Sequence, residues 1–327
     1  MSSRFRDATV VAVITAVAVG GLSAILMRTA GETAAAAGQP RRAADGKPDF
    51  SGVWQANNAA NWDLLTHVAR PMVAQHDAFP TEPVLAAPVL ALGAIGWVPP
   101  DTGVVDGDEI PYQPWAAKRR QENFENWLDR DPELKCYLPG IPRAMYMPYK
   151  FQIVQSTNKI MMVYEFRGAE RTIHLDEVDP YPGVAFMGHS VGRWEGDALV
   201  VNVDSFSANT WFDRAGNFHS DALKVVERFT PLSADAFLYE ATIEDPQVFT
   251  RPWKISMPIY RRLEKNAQLM EFRCPEMVEE TMYGHLRKEQ RVRRWDGKTM
   301  TVDITRRMPP GGSTYELHVD GNPPEQK

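Results

Sequence analysis

The sequence predicts a mainly β protein: an antiparallel β-sandwich or open barrel with a proline-rich covering arm and two minor helices, preceded by one N-terminal transmembrane helix. Three observations carry this. From residue 151 onward, short runs rich in β-branched and aromatic residues alternate with polar ones and are separated by turn residues. Gly196 and the Asp296-Gly297 pair lie between such runs, where a residue that accepts positive φ closes a tight hairpin. Strands do not alternate regularly with helices, as a parallel sheet would require.

Residues 1–28 form the first unit, an anchor or signal. Positions 8–27 are a run of 20 residues without a charge, preceded by Arg4 and Arg6, and a spanning helix needs about 20. No face of this run is polar, which argues against a buried soluble helix. A cleaved signal has an apolar region of only about 7 to 15 residues, although Ala35-Ala36-Ala37 offers a small-residue cleavage site. Both readings export the rest of the chain. The positive-inside tendency then puts it on the periplasmic or extracytoplasmic face of the inner membrane. Gly20, Gly21 and Ala24 would allow close packing against other membrane helices. Residues 29–48 are small, polar and aperiodic, which makes them a tether. Residues 49–327 then form one β-rich domain, long enough to bury a substantial core.

That domain opens with Gly52-Val53-Trp54 on a first strand. The triplet resembles the G-x-W of lipocalin first strands and so implies a lipocalin-like barrel. In lipocalins the next strand follows quickly, whereas here residues 56–148 intervene as an arm punctuated by proline from Pro71 to Pro148, which excludes long helices and central strands. The exception is 113–130, where Trp115, Phe124, Trp127 and Leu128 on a charged background suit a short amphipathic helix opened by Pro114. Trp62, Trp97, Tyr112 and Trp115 make the arm aromatic, suited to covering a sheet face, to lidding a ligand site or to docking a partner.

The strands come next. Runs 151–155 and 159–166 flank Ser156-Thr157-Asn158 as a hairpin, and 171–176 sets polar Thr172, His174 and Asp176 against Ile173 and Leu175. A central meander follows over 190–194, 198–204 and 220–229. Later strands are expected at 236–244, 253–257 and 268–274 and in a hairpin across 295–298, with a helix over 276–289. In the meander a Gly196-Asp197 loop pairs His189 with Asp204, and a Glu195-Gly196 loop pairs it with Asn202. Either way Trp194, Leu199, Val201 and Val203 share a core face, and His189, Arg193, Asn202 and Asp204 share the other. The strand ends then bring His189, Asp204, His219 and Asp221 together.

Charge and cysteine content narrow the function. The formal net charge is -6 with no block of lysine and arginine, unlike the electrostatic footprint of a nucleic-acid binder. The two cysteines, Cys136 and Cys274, have no metal-ligand spacing. In an exported chain they either form a disulfide that pins the proline-rich middle to the late β region or stay separately buried.

Several stretches together resemble a widespread family of exported bacterial β-rich proteins. They are the 48–54 segment PDFSGVW, Cys136 with the 139–143 segment PGIPR, Gly188-His189-Ser190 running into the 192–197 segment GRWEGD, His219-Ser220-Asp221, and the 242–246 segment TIEDP. The resemblance spans most of the chain beyond the tether. It implies export and a β-rich fold and supplies no catalytic assignment.

Three functions fit the residues. The sequence favours a membrane-tethered accessory subunit or small-molecule-binding module, with the membrane, other membrane-protein subunits or a small apolar ligand as partners and no cofactor. It accounts for the anchor, the tether and the aromatic arm together. The alternative is a hydrolase, isomerase or lyase in which His189 with Asp204, or His219 with Asp221, forms an acid–base pair whose imidazole pKa the carboxylate raises. A further alternative is a metal enzyme, because His174-x-Asp176 and His219-x-Asp221 each set an imidazole and a carboxylate on one strand face. With a second histidine that would be a two-histidine, one-carboxylate site, and Arg228 could hold an oxoacid co-substrate.

Overall fold

Nine strands close into one barrel in a computed structural model that describes residues 38–71, 97–272, 274, 292–295 and 298–301. They are β1 (Gly52–Ala56), β2 (Phe151–Gln155), β3 (Lys159–Tyr164), β4 (Glu170–His174), β5 (His189–Glu195), β6 (Ala198–Asp204), β7 (Lys224–Ser233), β8 (Ala236–Glu244) and β9 (Trp253–Arg261). Each strand neighbours the next in sequence, and β1 closes the ring by pairing with both β2 and β9. The expected sandwich or open barrel is therefore a closed barrel, which leaves no edge strand unpaired. A ring with an odd number of strands cannot alternate direction all the way round, so one pair must be parallel. That pair is β4 and β5, and residues 175–188 supply the long crossover that a parallel pair requires.

Alternation decides which side chains fill the barrel. Phe237, Tyr239, Ala241 and Ile243 of β8 and Trp253, Ile255, Met257 and Ile259 of β9 point inward and are buried. The G-x-W triplet has a local cause. Trp54 lies in the core with its Nε1 donating to the Phe50 carbonyl at 2.7 Å, and the Arg261 guanidinium sits 4.1 Å above its ring centre. Gly52, at φ +139°, runs so close to that guanidinium that an added Cβ would collide with it.

The first two strands of the meander pair in one of the two expected registers: the Gly196-Asp197 turn sets His189 opposite Asp204, and Leu199, Val201 and Val203 face the core. Helix α1 (Pro114–Glu125) begins at Pro114, and α2 (Trp127–Arg130) follows after a break at Asn126. Val292–Trp295 pairs with Lys298–Thr301, as the Asp296-Gly297 signal implied. Cys136 and Cys274 are joined, with Cα atoms 5.9 Å apart.

Three expectations are corrected. The strand expected to start at Ser220 starts at Lys224, because the Asp245 carboxylate takes the Ser220 N–H and hydroxyl and holds 220–223 in a turn. Strand β9 continues through Pro258, which lies one position beyond the end of β1, so on that side no ladder partner needs its missing N–H. Residues 268–272 form no strand: Lys150 donates to the Gln268 carbonyl and Met270 N–H donates to the Glu165 carboxylate. Among the described residues no helix is long and apolar enough to cross a membrane. The run at 8–27 and the helix expected at 276–289 lie outside them.

Candidate functional site

At the barrel end where β6 stops and β7 begins, a cleft of about 700 Å³ opens between α1 and the 208–220 connection. Trp115, Lys118, Arg119, Glu122 and Asn123 recur at three- and four-residue intervals and so share one face of α1, the face that forms one wall. Trp211, Phe218, His219 and Ser220 form the other. The helix is held in place by Gln113 N–H donating to the Val248 carbonyl at 2.8 Å and by the Asn123 amide donating to the Gly216 carbonyl at 3.2 Å. Gly216, at φ +86°, passes so near the helix backbone that a Cβ there would lie 2.8 Å from the Phe124 nitrogen. Only glycine allows that approach.

Beneath the cleft lies a buried polar network that joins the arm to the 210–217 loop. Glu133 accepts from Arg143 at 2.5 Å and from Arg214 twice at 2.7 Å, while Arg143 also reaches the Asn61 amide oxygen at 2.9 Å. Asp213 accepts from the Leu64, Ala215 and Asn217 N–H groups and from the Asn217 amide, which itself accepts from the Tyr112 hydroxyl. Burial, then the nearby Asp63 carboxylate, push the Asp213 pKa up to about 7, against the pull of these hydrogen bonds. The buried pairs of Glu133 with Arg143 and Arg214 tie the arm to the 210–217 loop beside the cleft, because losing one partner would leave the other charged and buried.

His219 is buried at the cleft, its ring between Phe206 and Phe212. Its Nδ1 lies 2.7 Å from the Ser220 carbonyl, which can only accept, so Nδ1 carries the proton. Nε2 then accepts from the Thr210 hydroxyl at 2.6 Å. Burial lowers its pKa, outweighing the Ser220 carbonyl and Asp245. This reverses the expected upward shift. Among the described residues neither His219 nor His189 hydrogen-bonds to Asp204 or Asp221.

The remaining predicted residues lie elsewhere. His189 and Asp204 are cross-strand partners, but Asp204 is exposed and accepts from the Ser205 hydroxyl at 2.9 Å. The His189 ring neighbours His174 at 5.6 Å and Tyr181 at 5.9 Å. Asp221 is exposed in the turn before β7, so His219-x-Asp221 does not share a strand face. Among the described residues no three His, Cys, Asp or Glu side chains converge as a metal site. Of the proposed set His174, Asp176 and His219, His174 lies beside His189 with the rings tilted by 40°, while His219 has the aromatic neighbours just given. Arg228 is paired with Glu195 at 2.9 Å.

Sequence reasoning missed the ion pair in the barrel lumen. Arg171 is bound bidentately by Glu227 at 2.7 and 3.0 Å, and the Tyr239 hydroxyl donates to the same carboxylate at 2.8 Å. Desolvation lowers the Arg171 pKa, but Glu227 outweighs it and the net shift is upward. Parity was the available signal. Arg171 has the phase of Ile173, and Glu227 that of Val225 and Phe229, so both positions point inward. The rest of the lumen is filled by Trp54, Phe151, Met162, Tyr164, Phe229 and Phe237, all buried.

No family model, curated protein or solved structure matches this chain.

Proposed function

We propose that the protein is a small-molecule-binding module of the cell envelope, tethered to the membrane by residues 8–27 and holding its ligand in the mouth cleft and not in the barrel lumen. One observation carries this reading. A cleft of about 700 Å³ falls within the range of ligand sites, roughly 300 to 1,000 Å³, while the described lumen is packed with side chains. The buried network under the cleft supports it, because a binding site needs walls that do not move when the ligand arrives. Export is supported by the Cys136–Cys274 bridge, since disulfides persist mainly in oxidising compartments. Acid–base catalysis by His189 and Asp204 has no such support, because among the described residues no hydrogen bond orients the imidazole.

The test uses full-length protein from membranes washed with high salt, where it should remain. Purified, it is titrated with a small-molecule panel and followed by tryptophan fluorescence and melting temperature. Some panel members should shift both, and Ala208→Trp, which fills the cleft from an exposed position on its rim, should abolish the effect. Ligand responses unchanged by Ala208→Trp would overturn the cleft as the site, and protein released by the wash would overturn the tether.

A further inference from the structure

We infer that the ligand class of the mouth cleft is an organic anion with a flat apolar body, of the aromatic carboxylate type. This rests on the cleft being the ligand site. Its lining sets four cationic side chains, Lys118, Arg119, Arg130 and Lys135, against one carboxylate, Glu122, in a chain whose net charge is -6. Local charge opposite in sign to the whole molecule marks a focused field and not a general surface property. Glu122 is engaged by Arg130 at 3.3 Å and Arg119 at 3.9 Å, and among the described residues Lys118 has no carboxylate partner. An anion entering the cleft meets the charge of Lys118, with the Arg119 guanidinium next to it on the same helix face.

The apolar half of the ligand is read from the aromatic walls. Trp115 is 55% exposed, a large open surface, and its ring meets Phe218 edge-on at 6.0 Å. Tyr137 and Trp211 line the same space. Rings of this kind beside cations hold a flat body by stacking while the charges take its acidic group. The lining residues of the floor carry no charge themselves: His219 is neutral with Nδ1 and Nε2 both engaged, and the Asp245 carboxylate behind Ser220 is taken up by the Ser220 N–H and hydroxyl.

Three probes separate the components: 2-naphthoate, its neutral analogue 2-naphthamide, and acetate, which lacks the ring. Titration calorimetry at low ionic strength should show naphthoate binding at least about tenfold more tightly than naphthamide, the difference expected of charge-assisted contacts, with acetate weaker than both. Lys118→Gln/Arg119→Gln, both at exposed positions, should bring naphthoate down to naphthamide's level and weaken naphthamide far less. Trp115→Ala should weaken both aromatic probes. Naphthamide binding as tightly as naphthoate, or naphthoate binding not at all, would overturn the anion class. If neutral compounds still bind and Ala208→Trp blocks them, the cleft stands without that class; if Ala208→Trp blocks nothing, the cleft itself falls.

Discussion

Arg171 is a guanidinium inside a barrel, and desolvation of that kind is repaid only by near-complete pairing. Glu227 meets it with both oxygens, Tyr239 adds a hydroxyl to the carboxylate, and the Met162 sulfur lies 3.3 Å from Nη2. Removing one partner strands the other. Glu227→Gln or Arg171→Met alone should therefore cost about 3 to 5 kcal/mol in urea unfolding, while Arg171→Met/Glu227→Leu should recover most of it. Single-variant losses under about 1 kcal/mol would contradict a pair that holds the lumen. His219 gives a pH dependence of opposite sign to that of Asp213. Its folded pKa is lowered, so as pH falls below about 6.5 the unfolded chain takes up a proton that the folded chain refuses, and stability drops. Asp213, raised to about 7, takes its proton first in the folded state and gains stability on the same descent. Replacing His219 with Gln should thus make the change in melting temperature from about pH 7.5 to about pH 5.5 less destabilising than in the parent. An unchanged or steeper acid loss would mean that the imidazole is not held neutral.

Elements whose pairing is decided within a few residues were legible. The turn at Gly196-Asp197 between alternating runs made the faces of β5 and β6 legible, while the choice between its two registers came from the structure, and Pro114 marks the start of α1. Parity would equally have found Arg171 and Glu227 had charge at an inward position been taken as a partner signal. Elements decided at long range were not legible. The start of β7 depends on Asp245 capturing Ser220 from 25 residues away, and closure depends on β1 meeting β2 across the whole arm. The cleft divides in the same way. Its helical wall is a spacing pattern readable in the arm, whereas the opposing wall exists only because Gly216 lets the 208–220 connection lie against that helix.

At the scale of the whole molecule, the disulfide joins parts of the chain that the barrel does not. Cys136 lies between Lys135 and Tyr137 of the cleft, and Cys274 lies beyond the segment that leaves β9. That segment has little regular structure of its own: Phe272 packs on Tyr149 and Phe166 with ring centres 5.0 Å away in each case, and Gln268 and Met270 are held by Lys150 and Glu165. A bridge across 138 residues removes much of the freedom of the unfolded chain, worth up to about 5 kcal/mol on loop length alone and typically 2 to 4. Cys136→Ser/Cys274→Ser should therefore lose about 2 to 5 kcal/mol against the oxidised parent, and a reductant should lower the parent's melting temperature but not the variant's. Because Cys136 is flanked by the cleft-lining Lys135 and Tyr137, the variant should also bind the cleft ligand more weakly at temperatures where it is still fully folded. Loss of stability with unchanged binding would mean that the bridge restrains only the unfolded chain. Loss of both would mean that it also holds Lys135 and Tyr137 in the positions from which they face the ligand.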